Sequence, residues 1–287
     1  MKTWVRKKLI SPEFQQSMLG PMLRGFLRKT QGNGTYNPWF MLDTQAVERP
    51  HYAYCMLHAA QLAQKLGITR ISAIEFGVAG GNGIAFMADF ARQVERVTGV
   101  SVDIYGFDTG VGMPDPEGTK DLPYWFRAAQ YPMDQDALRK KVPDAKLVIG
   151  NIRETIGTFI ETYRPAPIGV VFNDVDYWSS TLDSFKLFED GAGNSDHFLP
   201  RIFMYFDDII GTDSEMYGPH NGQLAAINEF NAKTGDVKIH LNQNLLMKSH
   251  LNYRYQIYYC HLFSHPRYNE YLGDAQQAKI FNALKLQ

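Results

Sequence analysis

What most constrains this chain is a regular alternation, between residues 71 and 263, of short apolar runs with stretches of helical periodicity. The runs are 71–78 (ISAIEFGV), 103–108 (DIYGFD), 146–151 (KLVIGN), 168–176 (IGVVFNDVD), 201–208 (RIFMYFDD), 237–241 (VKIHL) and 255–263 (YQIYYCHLF). Helical patterns occupy 83–98, 134–142, 152–163, 179–189 and 221–232 between them. A further one, 51–68, comes before the first run and stops at Gly67. Near-continuous apolar strands separated by helices are buried on both faces, because each crossover lays its helix against the sheet. The expected fold is α/β: a Rossmann-like, doubly wound, seven-stranded and mostly parallel sheet with helices on both faces and a late hairpin-like pair. Ligands of such sheets sit beyond the carboxyl ends of the strands, so the chemistry is sought there.

The first strand ends in a glycine-rich turn, Glu75-Phe76-Gly77-Val78-Ala79-Gly80-Gly81-Asn82-Gly83, before a helix. Glycines permit a tight turn and close approach of a ligand, and the N–H groups of the new helix favour an anionic group. The second strand ends at Asp108-Thr109, where an acid either accepts the hydroxyls of a ribose or caps a loop. The third ends at Asn151, which contacts an adenine edge, caps the helix from Ile152, or does both.

The fourth and fifth strands bring acids. Asp174 and Asp176 alternate on one side of strand 168–176, and Asp207 and Asp208 close the fifth. Converging carboxylates repel one another unless a cation or shared proton relieves them. Hard oxygen ligands in a chain without His or Cys metal spacing suit Mg²⁺, Mn²⁺ or Ca²⁺. Asp207 and Asp208 are consecutive, so they can share an ion only where the strand breaks into loop. His220, in the loop that follows, is a second candidate base beside Asp176.

Taken together, these residues resemble the macrocin O-methyltransferase family of metal-dependent methyltransferases. The resemblance runs over about residues 71–232: the turn Glu75 to Gly81, Gly106 to Thr109, Asp174 to Thr181, Asp207-Asp208, and Ala226 to Phe230. Val175 stands where the family usually has glycine. The resemblance implies S-adenosylmethionine as cofactor, with Glu75, Gly77 and Gly81 along its methionine and ribose part. Asp108 and Thr109 would lie at the ribose and Asn151 near the adenine. It further implies Mg²⁺ or another divalent cation on Asp174, Asp207 and Asp208, and Asp176 as base. The acceptor would be a small hydroxylated molecule of sugar, polyketide or catechol type. The alternatives are a metal-independent methyltransferase and an NAD-dependent Rossmann oxidoreductase. The dinucleotide fingerprint fails because its third glycine falls on Phe86.

Composition bears on partners and compartment. A net charge of −1 argues against wholesale binding of nucleic acid. Basic residues do gather before residue 30 (Lys2, Arg6, Lys7, Lys8, Arg24, Arg28, Lys29) against Glu13 alone. Apolar residues interleave with them, which fits helices packed over the domain or against a second copy in a homodimer, and no membrane contact is expected. Residues 1–50 are read as a helical and loop extension, a lid or dimer contact, with 30–50 as linker; 51–287 form the cofactor-binding domain. Cys55 and Cys260 are two lone thiols and make no disulfide framework. With neither a signal-peptide pattern nor a long apolar window, a cytoplasmic enzyme is expected.

Overall fold

The computed structural model describes residues 3–31, 35–189 and 195–283. Four helices come first: α1 (Thr3–Leu9), α2 (Pro12–Gln16), α3 (Leu19–Thr30) and α4 (Pro38–Asp43). The chain then runs α5 (Pro50–Lys65), β1 (Arg70–Phe76), α6 (Asn82–Thr98), β2 (Ser101–Asp108), α7 (Gln135–Lys141), β3 (Lys146–Ile149), α8 (Ile152–Tyr163) and β4 (Ile168–Asn173). It continues with α9 (Trp178–Phe185), β5 (Phe198–Phe206), α10 (Gly222–Lys233), β6 (Val237–Leu241), α11 (Gln243–Leu246), β7 (Ile257–Leu262) and α12 (Ala275–Ala283).

The strands form one seven-stranded sheet in the order β3-β2-β1-β4-β5-β7-β6. β7 pairs antiparallel with both β5 and β6, while the pairs among β1 to β5 are parallel. The expected α/β sheet and its hairpin-like end are what the chain forms. From β1 the chain winds outward to β3, then returns to lay β4 on the other side of β1. The carboxyl ends of β1 and β4 therefore flank the reversal in strand order, where such sheets open a crevice.

Alternation along the strands divides the core in two. Ile71, Ala73, Ile104 and Phe172 face one side with α5 and α6, whereas Ile74, Phe76, Phe107 and Phe206 face the other with Phe159 of α8, Phe185 of α9 and Phe230 of α10. Phe76, Phe107, Phe172 and Phe206, each within a residue of its strand's end, are fully buried. Each such ring stabilises the fold by about 1.5–3 kcal/mol. Together they make a rigid floor beneath the strand tips.

Two expectations need correction. Residues 30–50 are not simply linker: Asn37 accepts the Trp39 N–H at 2.9 Å, Pro38 opens α4, and Met41, Leu42, Ala46 and Val47 enter the core. One and a half turns are too short for apolar periodicity to register. The fourth strand also stops at Asn173, so strand alternation does not orient Asp174 and Asp176; Asp176 adopts a left-handed conformation with φ +58°.

Several basic residues of the N-terminal helices bind the protein itself. Arg6 pairs with Asp43 at 3.0 Å, and Arg28 donates to the carbonyls of Gln45, Ala46 and Val47. Met22 and Phe26 of α3 remain exposed. Among the described residues no helix is long and apolar enough to cross a membrane.

Candidate active site

The turn between β1 and α6 is the hinge of the site. Gly77 has φ +85°, and a Cβ there would lie 1.7 Å from the Asp174 carbonyl oxygen; only glycine lets the two strand ends approach so closely. Gly81, at φ +78°, leads into α6, and a Cβ on it would meet Leu138 at 2.3 Å.

Asp108 fastens this turn to β2. Its carboxylate accepts the N–H groups of Val78 and Ala79 at 3.0 and 2.8 Å, and that of Gly110 at 2.7 Å. The loop-capping role weighed for this acid is therefore realised, with the carboxylate still on the wall of a cleft. Thr109 lies on the same wall and donates to the Gly112 carbonyl at 2.5 Å. Asn151 caps α8 through the Arg153 N–H at 3.0 Å and faces the same space. Phe107, Met113, Ile152 and Val175 make this cleft predominantly apolar.

Glu75 is buried just inside the turn. The Tyr52 hydroxyl donates to its Oε1 at 2.5 Å, while Oε2 is buried without a partner. Burial pushes its carboxyl up to about 7, with Tyr52, Arg49 and the Ile84 N–H pulling the other way. A Cβ on Gly83 would meet Glu75 Oε1 at 1.8 Å, so the start of α6 is packed against this carboxylate. The N–H groups expected to face an anionic ligand thus face an acid of the protein.

Beyond Glu75 the space opens into an acidic basin that shares Gly77, Ala79, Tyr131, Asp174 and Asp176 with the apolar cleft. Asp174, Asp207 and Asp208 each offer an oxygen there, all within 4.8 Å of one another. β5 stops at Phe206, and the break turns both consecutive acids inward. Asp208 accepts the Asp176 N–H at 2.8 Å, and Tyr205 donates its hydroxyl to Asp207. Burial, followed by mutual repulsion, holds the carboxyls of Asp174 and Asp208 well above the usual range. Burial likewise pushes Asp176 up to about 6, against the pull of Asp208. Arg49 is the one basic residue lining this basin.

The segment between β2 and α7 covers the rim. The Met113 N–H donates to the Gln130 carbonyl and the Ala129 N–H to the Met113 carbonyl, each at 2.8 Å, bringing Gln130 and Tyr131 over the cleft. Buried Asp121 anchors this segment to α9, accepting the Ser179 N–H at 2.8 Å and its hydroxyl at 2.7 Å. Tyr52, Arg49, Tyr131 and Asp121 escape the sequence reading. Tyr52 hides among the apolar positions of its helix, where only a hydroxyl distinguishes it from a core ring. The long glycine- and proline-bearing stretch after β2 is the one cue to the loop residues.

The structure thus brings Glu75, Gly77, Gly81, Asp108, Thr109, Asn151, Asp174, Asp176, Asp207 and Asp208 to two adjoining clefts. His220 is not among them; it is exposed ahead of α10 and lines neither cleft.

Solved methyltransferases share this architecture. The calicheamicin methyltransferase CalS11 aligns over 88% of this chain and 93% of its own, with a TM-score of 0.52 at 18% identity. The O-methyltransferase NovP aligns over 84% of this chain and 98% of its own, with a TM-score of 0.50 at 12% identity. No family model matches the sequence, and no curated protein matches it. At these identities the likeness speaks for the fold alone: a Rossmann-like α/β sheet of the kind these methyltransferases have.

Proposed function

We propose that the protein is an S-adenosylmethionine-dependent O-methyltransferase of macrocin O-methyltransferase type, acting with a divalent cation on a small hydroxylated acceptor. The observation that carries this reading is the position of Glu75. In dinucleotide-binding sheets the pyrophosphate sits at the helix N-terminus after β1. Here a buried carboxylate with an unpartnered oxygen occupies that place, which repels a pyrophosphate and suits an ammonium or sulfonium. The methyltransferase fold and the neighbouring apolar cleft support the same reading.

The residues fit both groups. When bound, the cofactor supplies an electrophilic methyl on a sulfonium, and a divalent cation supplies a Lewis acid that lowers the pKa of a hydroxyl. Gly77 and Gly81 would leave room for the cofactor, Glu75 would face its cationic part, Asp108 and Thr109 would serve the ribose, and Asn151 the base. Asp174, Asp207 and Asp208 would hold the ion, three hard donors whose buried charges need a cation. Asp176, with its carboxyl at about 6, takes the acceptor proton.

Calorimetric titration of the folded chain with S-adenosylhomocysteine should give saturable heat, and titration with NAD none. Absence of heat with either S-adenosyl compound would overturn the reading. Turnover that persists undiminished in excess EDTA would remove the metal from it.

A further inference from the structure

A second cavity lies at the other end of β5. Its walls are one face of α5 (His58, Leu62, Lys65) and the sheet face opposite, where Arg201 pairs with His261 and Phe203 with Tyr259 across β5 and β7. Arg201 precedes Asp207 by six residues of chain, about 20 Å along a strand, and the cavity shares no lining residue with the clefts above.

The chemistry here is the reverse of the acidic basin. The cavity wall carries Lys65, Arg201, His58 and His261, and no carboxylate. Two of its donors are orphaned. Arg201 gives one nitrogen, Nη1, to the Tyr268 carbonyl at 3.2 Å, while Nη2 is buried without a partner. His261 meets the Tyr268 hydroxyl through Nδ1 at 2.5 Å, while Nε2 is likewise buried without a partner. In the tautomer in which the hydroxyl donates to Nδ1, Nε2 is a donor. Tyr268 therefore holds both side chains and leaves Nη2 of Arg201 and Nε2 of His261 unspent.

Burial, then the neighbouring His240 and Arg201, holds His261 down at about 4, so at neutral pH its imidazole is an uncharged group beside the guanidinium. A buried unsatisfied donor in a native structure calls for an explanation, an absent ion or ligand among them. An oxyanion would balance the guanidinium charge and satisfy both donors, each side chain turning to bring its enclosed nitrogen to the cavity wall. Phe203, Tyr259 and Leu62 offer an apolar wall beside them. We propose that this cavity is a second binding site, for a small organic oxyanion that meets Arg201, His261 and Lys65 and lays its apolar body on Phe203 and Tyr259.

The test is titration of the full chain with benzoate and with phenyl phosphate, benzyl alcohol serving as the neutral control. At least one anion should bind saturably at one site per chain, and the alcohol should not. Which anion binds distinguishes a carboxylate from a phosphate ligand. Arg201→Met and His261→Gln should each weaken binding about ten-fold or more, as expected for losing a hydrogen bond to a charged group. Lys65→Gln, an exposed and fold-neutral change, should weaken it a few-fold. Saturating S-adenosylhomocysteine should leave the anion's affinity unchanged. The proposal fails if neither anion binds the wild-type chain, if S-adenosylhomocysteine displaces the anion, or if His261→Gln and Lys65→Gln bind as the wild type does. The last criterion stands even if Arg201→Met does not fold.

Discussion

Replacing Glu75 by Gln should make the protein more stable and a poorer binder of cofactor at once. The carboxyl has an ordinary value of 4.5 and sits at about 7 in the fold, chiefly because it is buried. Between those values the folded state holds a proton that the unfolded chain has released, so wild-type stability is full below 4.5 and falls as the pH rises through 7. Holding a carboxyl that far from its ordinary value costs the folded state about 3 kcal/mol once both states are ionised. Glutamine keeps the shape and the acceptor for Tyr52 but does not titrate. In EDTA, the stability difference between variant and wild type should grow by about 3 kcal/mol from pH 4 to pH 8. That is roughly 5 °C in Tm for a chain of this size. Denaturant melts at half-unit pH steps would trace it, with Asp174, no longer repelled by Glu75, adding in the same direction. In the same variant, affinity for S-adenosylhomocysteine should drop about ten-fold or more, as for a lost charged hydrogen bond. A stability difference that stays flat from pH 4 to pH 8 would refute the argument that burial lifts this carboxyl. Unchanged affinity would refute its role toward the cofactor.

Other perturbations test the rest of the site. Gly77→Ala places a methyl on the Asp174 carbonyl at a positive φ, and should lower stability by about 2–4 kcal/mol in denaturant melts while blocking cofactor binding. Asp174→Asn should abolish the thermal stabilisation given by Mg²⁺ or Mn²⁺ and leave S-adenosylhomocysteine heats nearly intact; retained metal stabilisation would refute the cluster. Asp176→Asn should cut the methyl-transfer rate by about 10²–10⁴-fold with cofactor affinity preserved, whereas His220→Gln, on the open surface, should change the rate little. Asp121→Ala strips the acceptors from Ser179 and should cost about 1–3 kcal/mol. Limited proteolysis should then cut faster between residues 109 and 134.

The sheet, though not its strand order, was legible because strand and helix alternation follows from physical rules that act locally. Apolar runs such as Ile168 to Phe172 are too continuous for a one-sided strand, and the helices between them leave parallel pairing as the arrangement that buries both faces. The rim was legible for the same reason, since strand tips are where such a sheet exposes chemistry. Side-chain direction past the last strand residue was not. Asp176 reaches its place through a left-handed turn that alternation does not foresee, and Asp108 spends its lone pairs on the turn one strand away. Tyr52, Arg49 and Asp121 lie 23 or more residues from the groups they serve, joined to them by tertiary contact alone.

Acids that look alike in the sequence are set to different tasks by what surrounds them. Asp108 accepts three N–H groups and acts as a fastener between the β1 turn and β2. Asp174 and Asp208 lie in each other's field and among buried neighbours, where repulsion between charges is several-fold stronger than in water. Such a cluster can lower its energy by holding protons or by holding a cation. The first is available at any pH below the lifted values, the second only when an ion of suitable size arrives. Glu75, on the same basin, gains from a monovalent cation in the same way. One basin thus offers two wells for positive charge a short distance apart, bounded by a glycine turn too tight for a side chain. A sulfonium nucleoside with its ammonium, and a hard divalent ion, are the pair of charges that would fill both wells without competing for either. A dinucleotide brings negative charge to each.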